Sequence, residues 1–245
     1  MADNVRRIAM WSGPRNISSA MMRSWSNRPD AFVCDEPFYA HYLLKTGKPH
    51  PGADEVIRSQ ENDWRKVALW LTEFVPQGKS VFYQKHMTHH LLPEMDREWL
   101  GGVTNAFLIR EPREVVTSFV KIAGTPGIED TGLRQQLDIF NWVRERTGKI
   151  PPVVDARDVL EDPPRLLRLL CDSLNVDFTD AMLSWPAGPR QTDGVWAKHW
   201  YDAVLRSTTF QTYKPKYDPV PPHLAGLLAE AEQIYTKLHE HRLRR

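Results

Sequence analysis

Arg15 stands where a short apolar run, Ile8-Ala9-Met10-Trp11, breaks into Ser12-Gly13-Pro14-Arg15-Asn16-Ile17-Ser18-Ser19 and becomes the helical pattern Ala20-Met21-Met22-Arg23-Ser24-Trp25. A strand that turns sharply into a helix leaves the first helical N–H groups without backbone partners, and the helix dipole adds partial positive charge there. Such a turn accommodates a phosphate or sulfate. Arg15 adds a permanent cation, and the hydroxyls of Ser18 and Ser19 are placed to cap the helix or to bond the anion directly. The plainer reading is an ordinary strand-to-helix turn capped by serine.

The loop of ATP- and GTP-binding proteins reads G-x-x-x-x-G-K-[ST], with its Lys on the outer phosphates and its hydroxyl on magnesium. Started at Gly13, that pattern meets Ser18, Ser19 and Ala20 where Gly, Lys and Ser/Thr belong. The loop therefore suits a phosphate-like group held without the usual metal arrangement. A second anion site is suggested by Phe107-Leu108-Ile109-Arg110-Glu111-Pro112, in which Arg110 ends an apolar run and Ser118 follows eight positions later. That spacing is about two helical turns, so both side chains can face one anion. A simple helix start with Pro112 in its first turn is the alternative.

These residues need a scaffold. Short apolar runs at Ile8–Trp11, Ala31–Cys34, Ser80–Tyr83, Val103–Ile109 and Pro152–Asp155 alternate with helix-period segments at Ala53–Phe74, Arg113–Ile122, Leu133–Thr147, Pro163–Leu174 and Leu224–Leu243. The alternation predicts an α/β fold with a central parallel sheet and helices on its faces. Ligands of such sheets sit beyond the carboxyl ends of the strands. Here those ends carry Arg15, Asp35-Glu36-Pro37, Lys85-His86 and Arg110-Glu111-Pro112.

With both anion sites in view, the chain resembles the sulfotransferases that use 3′-phosphoadenosine 5′-phosphosulfate (PAPS). Pro14-Arg15-Asn16-Ile17-Ser18-Ser19-Ala20-Met21 is similar to that family's loop around the 5′-phosphosulfate, and Arg110 with Ser118 matches its 3′-phosphate motif in spacing. A third stretch, Val154-Asp155 through Asp162-Pro163 to Phe178, also looks like a family segment, so the resemblance spans about residues 7 to 178. It implies a three-layer αβα fold of the P-loop nucleotide-binding type over a single domain, 1–245. It further implies PAPS as donor, no metal, and a hydroxyl or amine of a small molecule as acceptor. Arg15 and the amides of Asn16, Ile17, Ser18 and Ser19 would hold the 5′ group, and Arg110 with Ser118 the 3′-phosphate.

Sulfuryl transfer needs a base near the nucleophile. Glu36 resembles the catalytic Glu of the Glu-Pro motif in carbohydrate-modifying members, and His86 the catalytic His before Leu-Leu-Pro in members acting on phenols and steroids. Glu36 is the preferred candidate, with Asp35 as a substitute. Lys85 either stabilises charge on the bridging oxygen or is a solvated strand-end lysine. Two departures stand out. Arg15 replaces a Lys found in some members, and Ile17 occupies a place where relatives often carry Gly, although a β-branched residue disfavours positive φ. Alternative readings are a nucleotide kinase or hydrolase, and a non-catalytic nucleotide-binding relative.

Composition limits the remaining classes. The 245 residues carry 32 Lys+Arg against 31 Asp+Glu, a formal charge of +1, so no global field draws the protein to nucleic acid or membrane. Cys34 and Cys171 lack paired spacing, and no signal region or long apolar span is visible, which suggests a cytoplasmic protein. His86, His89 and His90 do not follow a zinc-binding pattern. Trp196 and Trp200, four apart, suggest a packed helical face more than a stacking platform for a ring.

Overall fold

The computed structural model describes residues 5–244. Its elements in chain order are β1 (Arg6–Ser12), α1 (Ser18–Ser26), β2 (Ala31–Asp35), α2 (Tyr39–Thr46), α3 (Ala53–Ser59), α4 (Trp64–Glu73), β3 (Val81–Met87), β4 (Thr104–Ile109), α5 (Pro112–Ala123), α6 (Ile128–Thr131), α7 (Leu133–Thr147), β5 (Val153–Asp155), α8 (Ala156–Glu161), α9 (Pro163–Ser173), α10 (Ala197–Trp200), α11 (Asp202–Leu205) and α12 (Ala225–His239). The strands form one sheet in the order β2-β3-β1-β4-β5, and every pairing is parallel. Strand β1 lies at its centre, so the Arg15 loop leaves the sheet between β3 and β4. That is the point where the strand order reverses and ligands collect in open α/β sheets.

Alternation along each strand feeds two apolar layers. Ile8, Met10 and Tyr83 pack with Met21, Met22 and Trp25 of α1 and Leu166, Leu167 and Leu170 of α9 on one face. Ala9, Trp11 and Phe82 pack with Leu71 of α4, Phe140 of α7 and Leu238 of α12 on the other. The result is the three-layer αβα arrangement. Burial on both faces accounts for the near-continuous apolar strands. No helix among the described residues is long and apolar enough to cross a membrane.

The helix expected over Ala53–Phe74 is two helices, because the chain changes sides of the sheet between them. Val56 of α3 belongs to the first apolar layer and Trp64 of α4 to the second. Gln60, at the break, takes an extended conformation and turns its amide back to the strand end: Oε1 accepts from the Ala40 N–H at 3.1 Å, and Nε2 donates to the Glu36 carbonyl at 3.2 Å. Asp63 then caps α4 by accepting from the Arg65 N–H at 2.9 Å.

Gly13, directly after β1, packs against the carbonyl of Thr131, where an added Cβ would lie 2.4 Å from the oxygen. Gly13→Ala must displace one of two backbones, and we expect a loss of roughly 1–3 kcal/mol in urea unfolding.

Candidate functional site

A cavity of about 830 Å³ opens at the carboxyl ends of the strands. Pro14 to Ala20 form one wall, and Glu36, Lys85, His90 and Arg110 also line it. The first helical bond of α1 runs from Met21 N to Ile17 O at 2.9 Å, so the N–H groups of Ser18, Ser19 and Ala20 have no acceptor within the helix. No side chain caps α1, and neither the Ser18 nor the Ser19 hydroxyl makes a hydrogen bond among the described residues. Capping by serine, the plainer sequence reading, does not occur.

The loop solves the problem posed by Ile17 by moving the strained residue. Ile17 has φ −89°, ordinary for a β-branched side chain, whereas Arg15 takes φ +58°. Asn16 fixes the turn: its Oδ1 accepts from the Ile17 N–H at 2.8 Å and its Nδ2 donates to the Leu108 carbonyl of β4 at 3.0 Å. Asn16 thus acts through its side chain as a brace between loop and sheet.

Arg15, Arg110 and Ser118 are brought together, although not as a matched pair on one open anion site. Arg15 Nε donates to Ser118 Oγ at 2.9 Å, and Arg110 Nη1 donates to the Arg15 carbonyl at 2.8 Å. Burial and the neighbouring Arg110 charge lower the pKa of Arg15. Ser118 does not itself line the cavity. Glu114, in the first turn of α5, accepts from Arg110 Nε at 3.0 Å and Nη2 at 2.6 Å, and Tyr213 donates to its other oxygen at 2.8 Å. This carboxylate orients the Arg110 fork, and nothing in the spacing of Arg110 and Ser118 pointed to it.

Glu36 sits at the opposite side of the loop, just past β2, in the left-handed region at φ +44°. Non-glycine residues held there cost about 1–3 kcal/mol and cluster at functional sites. Its Oε1 accepts from Lys85 Nζ at 2.5 Å, while Oε2 makes no hydrogen bond among the described residues and lies 4.0 Å from His90 Nδ1. Burial raises the Glu36 pKa above the ordinary carboxylate range, Lys85 pulling it partly back and Asp35 adding to the rise. Lys85 is not the solvated strand-end lysine of one sequence reading. It is 1% exposed and lies within β3, which continues to Met87. Burial opposes its charge, but Asp35 and Glu36 outweigh that and hold its pKa well above the usual lysine value.

His86 is not in the cavity. With β3 running through Met87, neighbouring residues alternate sides, so Lys85 and Met87 face the cavity and His86 faces the other apolar layer. There it stacks on Trp11 at 4.3 Å, contacts Phe38 and Trp99, and meets Gln84 Oε1 at 3.2 Å. Burial, with Lys85 adding, depresses its pKa to about 3. The three histidines of the sequence motif therefore separate, and His89 and His90 alone remain on the cavity side. Trp196 packs inward, edge-on to Tyr39 at 5.1 Å, whereas Trp200, expected from the helical spacing on the same packed face, lines the cavity. Tyr201 reaches Asp35 and Lys85, a role with no local sequence signal because its partners lie 166 and 116 residues away.

The family model described as a sulfotransferase domain matches residues 6–240. Two Arabidopsis thaliana proteins, named branched-chain-amino-acid aminotransferase-like protein 1 and 2, are 35% and 33% identical to it over 96% of this chain. The matched part is 42% and 41% of their length, so the chain spans about two-fifths of these relatives, whose name describes the longer proteins. Among solved structures, the sulfotransferase domain from the curacin biosynthetic pathway aligns over 98% of this chain and 99% of its own with TM-score 0.53 and 15% identity. That from the Synechococcus PCC 7002 olefin synthase aligns over 97% and 95% with TM-score 0.52 and 16% identity. At these identities the likeness establishes the fold, a P-loop-like αβα sandwich. The match over nearly the whole length, on a fold of this kind, makes the chain a member of the sulfotransferase domain family.

Proposed function

We propose that this chain is a PAPS-dependent sulfotransferase that moves a sulfuryl group to a hydroxyl or amine of a small-molecule acceptor. The observation that carries the reading is a single cavity with an uncapped helix N-terminus and Arg15 and Arg110 on one side, and the unbonded oxygen of Glu36 on another. The donor supplies an activated sulfuryl group and departs as the bisphosphate, keeping the electron pair of the bond that breaks.

The chain's own residues do the rest. The N–H groups and hydroxyls of Ser18 and Ser19, with the Arg15 guanidinium, suit the 5′ anion, whereas the Ile17 N–H expected to join them is spent on Asn16 Oδ1. Arg110, its fork oriented by Glu114, suits the 3′-phosphate, with Ser118 holding Arg15 in place. Glu36 takes the acceptor's proton. On this reading residues 1–245 form one domain of cytoplasmic origin, in keeping with the unpaired Cys34 and Cys171. A loop distorted by Ile17 would favour a non-catalytic relative, and the negative φ of Ile17 leaves the loop without that distortion. A kinase or hydrolase would need the absent Gly-Lys-Ser/Thr.

The test is a thermal-shift titration with 3′-phosphoadenosine 5′-phosphate, AMP and ATP. Stabilisation by the bisphosphate at concentrations where AMP and ATP give none supports the reading, and no shift at millimolar bisphosphate overturns it. Arg110→Ala is expected to weaken the bisphosphate roughly 10- to 100-fold, the range of one lost charge-assisted hydrogen-bonding group. AMP, which lacks the 3′-phosphate, should show no such dependence.

A further inference from the structure

Lys85 has three ammonium hydrogens, and all three are used. Nζ donates to Glu36 Oε1 at 2.5 Å, to Asp35 Oδ1 at 2.9 Å and to the Tyr201 hydroxyl at 2.8 Å. Having accepted from Lys85, the Tyr201 hydroxyl has its own proton to give, and both Asp35 oxygens lie within reach at 2.9 and 2.7 Å. The Gly194 N–H also points at Asp35 Oδ2, at 3.4 Å. Lys85, Asp35 and Tyr201 are each under 5% exposed or close to it, and the group is closed: its donors and acceptors satisfy one another and leave over only Oε2 of Glu36.

We propose that Asp35 and Tyr201 are positioning residues that set how much of the Lys85 ammonium Glu36 receives: Asp35 competes for it, Tyr201 relieves that competition by donating to Asp35, and the balance leaves one Glu36 oxygen on Lys85 and the other free to take the acceptor's proton. This rests on Glu36 being the base. The logic is that of competition for one cation. Asp35 and Glu36 share Lys85, so whatever satisfies Asp35 by another route leaves more of the ammonium to Glu36. Tyr201 is that other route. It comes from the segment that also carries Trp200 and Val204 of the cavity wall, so the state of the base is tied to the seating of that wall.

The groups facing Glu36 are Lys85 from β3, Asp35 from the end of its own strand, His90 after β3, Tyr39 from α2, and Tyr201 between α10 and α11. Burial holds His90 well below its ordinary value and Tyr39 and Tyr201 above theirs, so near neutral pH these three bring no charge to Glu36. The two variants then act in opposite senses. Asp35→Asn removes a like charge and frees Lys85 for Glu36, which lowers the Glu36 midpoint. Tyr201→Phe deprives Asp35 of its second donor, draws Lys85 toward Asp35, and raises that midpoint.

The experiment is a pH titration of the full chain labelled with ¹³C at the Glu side-chain carboxyls, the Glu36 signal being assigned as the one missing from Glu36→Gln. A fall of about one pH unit in Asp35→Asn and a rise of about half a unit or more in Tyr201→Phe are expected. No movement in either, or movement of both in one sense, overturns the proposal. Should Asp35→Asn not fold, the direction in Tyr201→Phe alone decides. The titration requires no acceptor and is independent of turnover, so an active Glu36→Gln would remove Glu36 as base without touching this result.

Discussion

Glu36→Gln is expected to lower turnover by roughly 10²- to 10⁴-fold while leaving affinity for 3′-phosphoadenosine 5′-phosphate almost unchanged, the range being that of a positioned general base. The amide keeps the size of the side chain and can still accept from Lys85 through its oxygen, so the geometry at 2.5 Å has a substitute. What is lost is the basic oxygen. The donor contacts proposed above fall to the Arg15 loop and Arg110, which Glu36 does not touch among the described hydrogen bonds. The wild-type rate should also fall as pH drops through the raised Glu36 midpoint, because a protonated carboxyl cannot accept a proton. The variant should lack that acid limb. Release of the bisphosphate, followed with a panel of small alcohols, phenols and amines, measures both. Undiminished turnover in Glu36→Gln would remove it as the base.

The sequence places the strands and the strand-to-helix turn at Arg15 well because both depend on local pattern. Ile8–Trp11 and its neighbours are apolar runs in a sheet buried on both faces, and the break at Gly13 is a break in that pattern. Strand β3 is harder to read. Its second half, Gln84-Lys85-His86, is polar yet buried, so the apolar run ends at Tyr83 while the strand continues to Met87. Read as a strand end beyond the apolar run, Lys85-His86 presents both residues as candidates for the site. The pleat sends them to opposite faces, and only the observed strand length shows it. The same limit hides Tyr201 and Glu114, whose roles come from partners far along the chain or from a fork that only tertiary packing aims. Ile17 illustrates the reverse case: the residue type forbade positive φ, and the chain obeyed by giving that conformation to Arg15.

Lys85→Met should be the most destabilising single change at the site, by roughly 3–5 kcal/mol near neutral pH, the usual cost of removing one partner from a buried ion pair. Methionine fills much of the volume, so the loss comes from electrostatics: Asp35 and Glu36 are left facing each other, 6% and 9% exposed, without their shared cation. The pH dependence identifies this origin. In the wild type, the raised Lys85 pKa means that its stabilisation is fully present below the pKa of an unfolded lysine and is lost only as pH rises through the folded value. Around neutral pH, above the raised Glu36 midpoint, that contribution is therefore constant. In the variant the orphaned carboxylates prefer to be neutral, so the deficit should shrink as pH falls and they take up protons. A purely steric deficit would not. Combining Lys85→Met with Asp35→Asn removes one of the two stranded charges, and the double variant should be more stable than Lys85→Met alone. Urea unfolding of the two variants at several pH values reads the whole pattern, and a double variant less stable than either single change would show that the interaction is not the shared-cation competition described for Glu36.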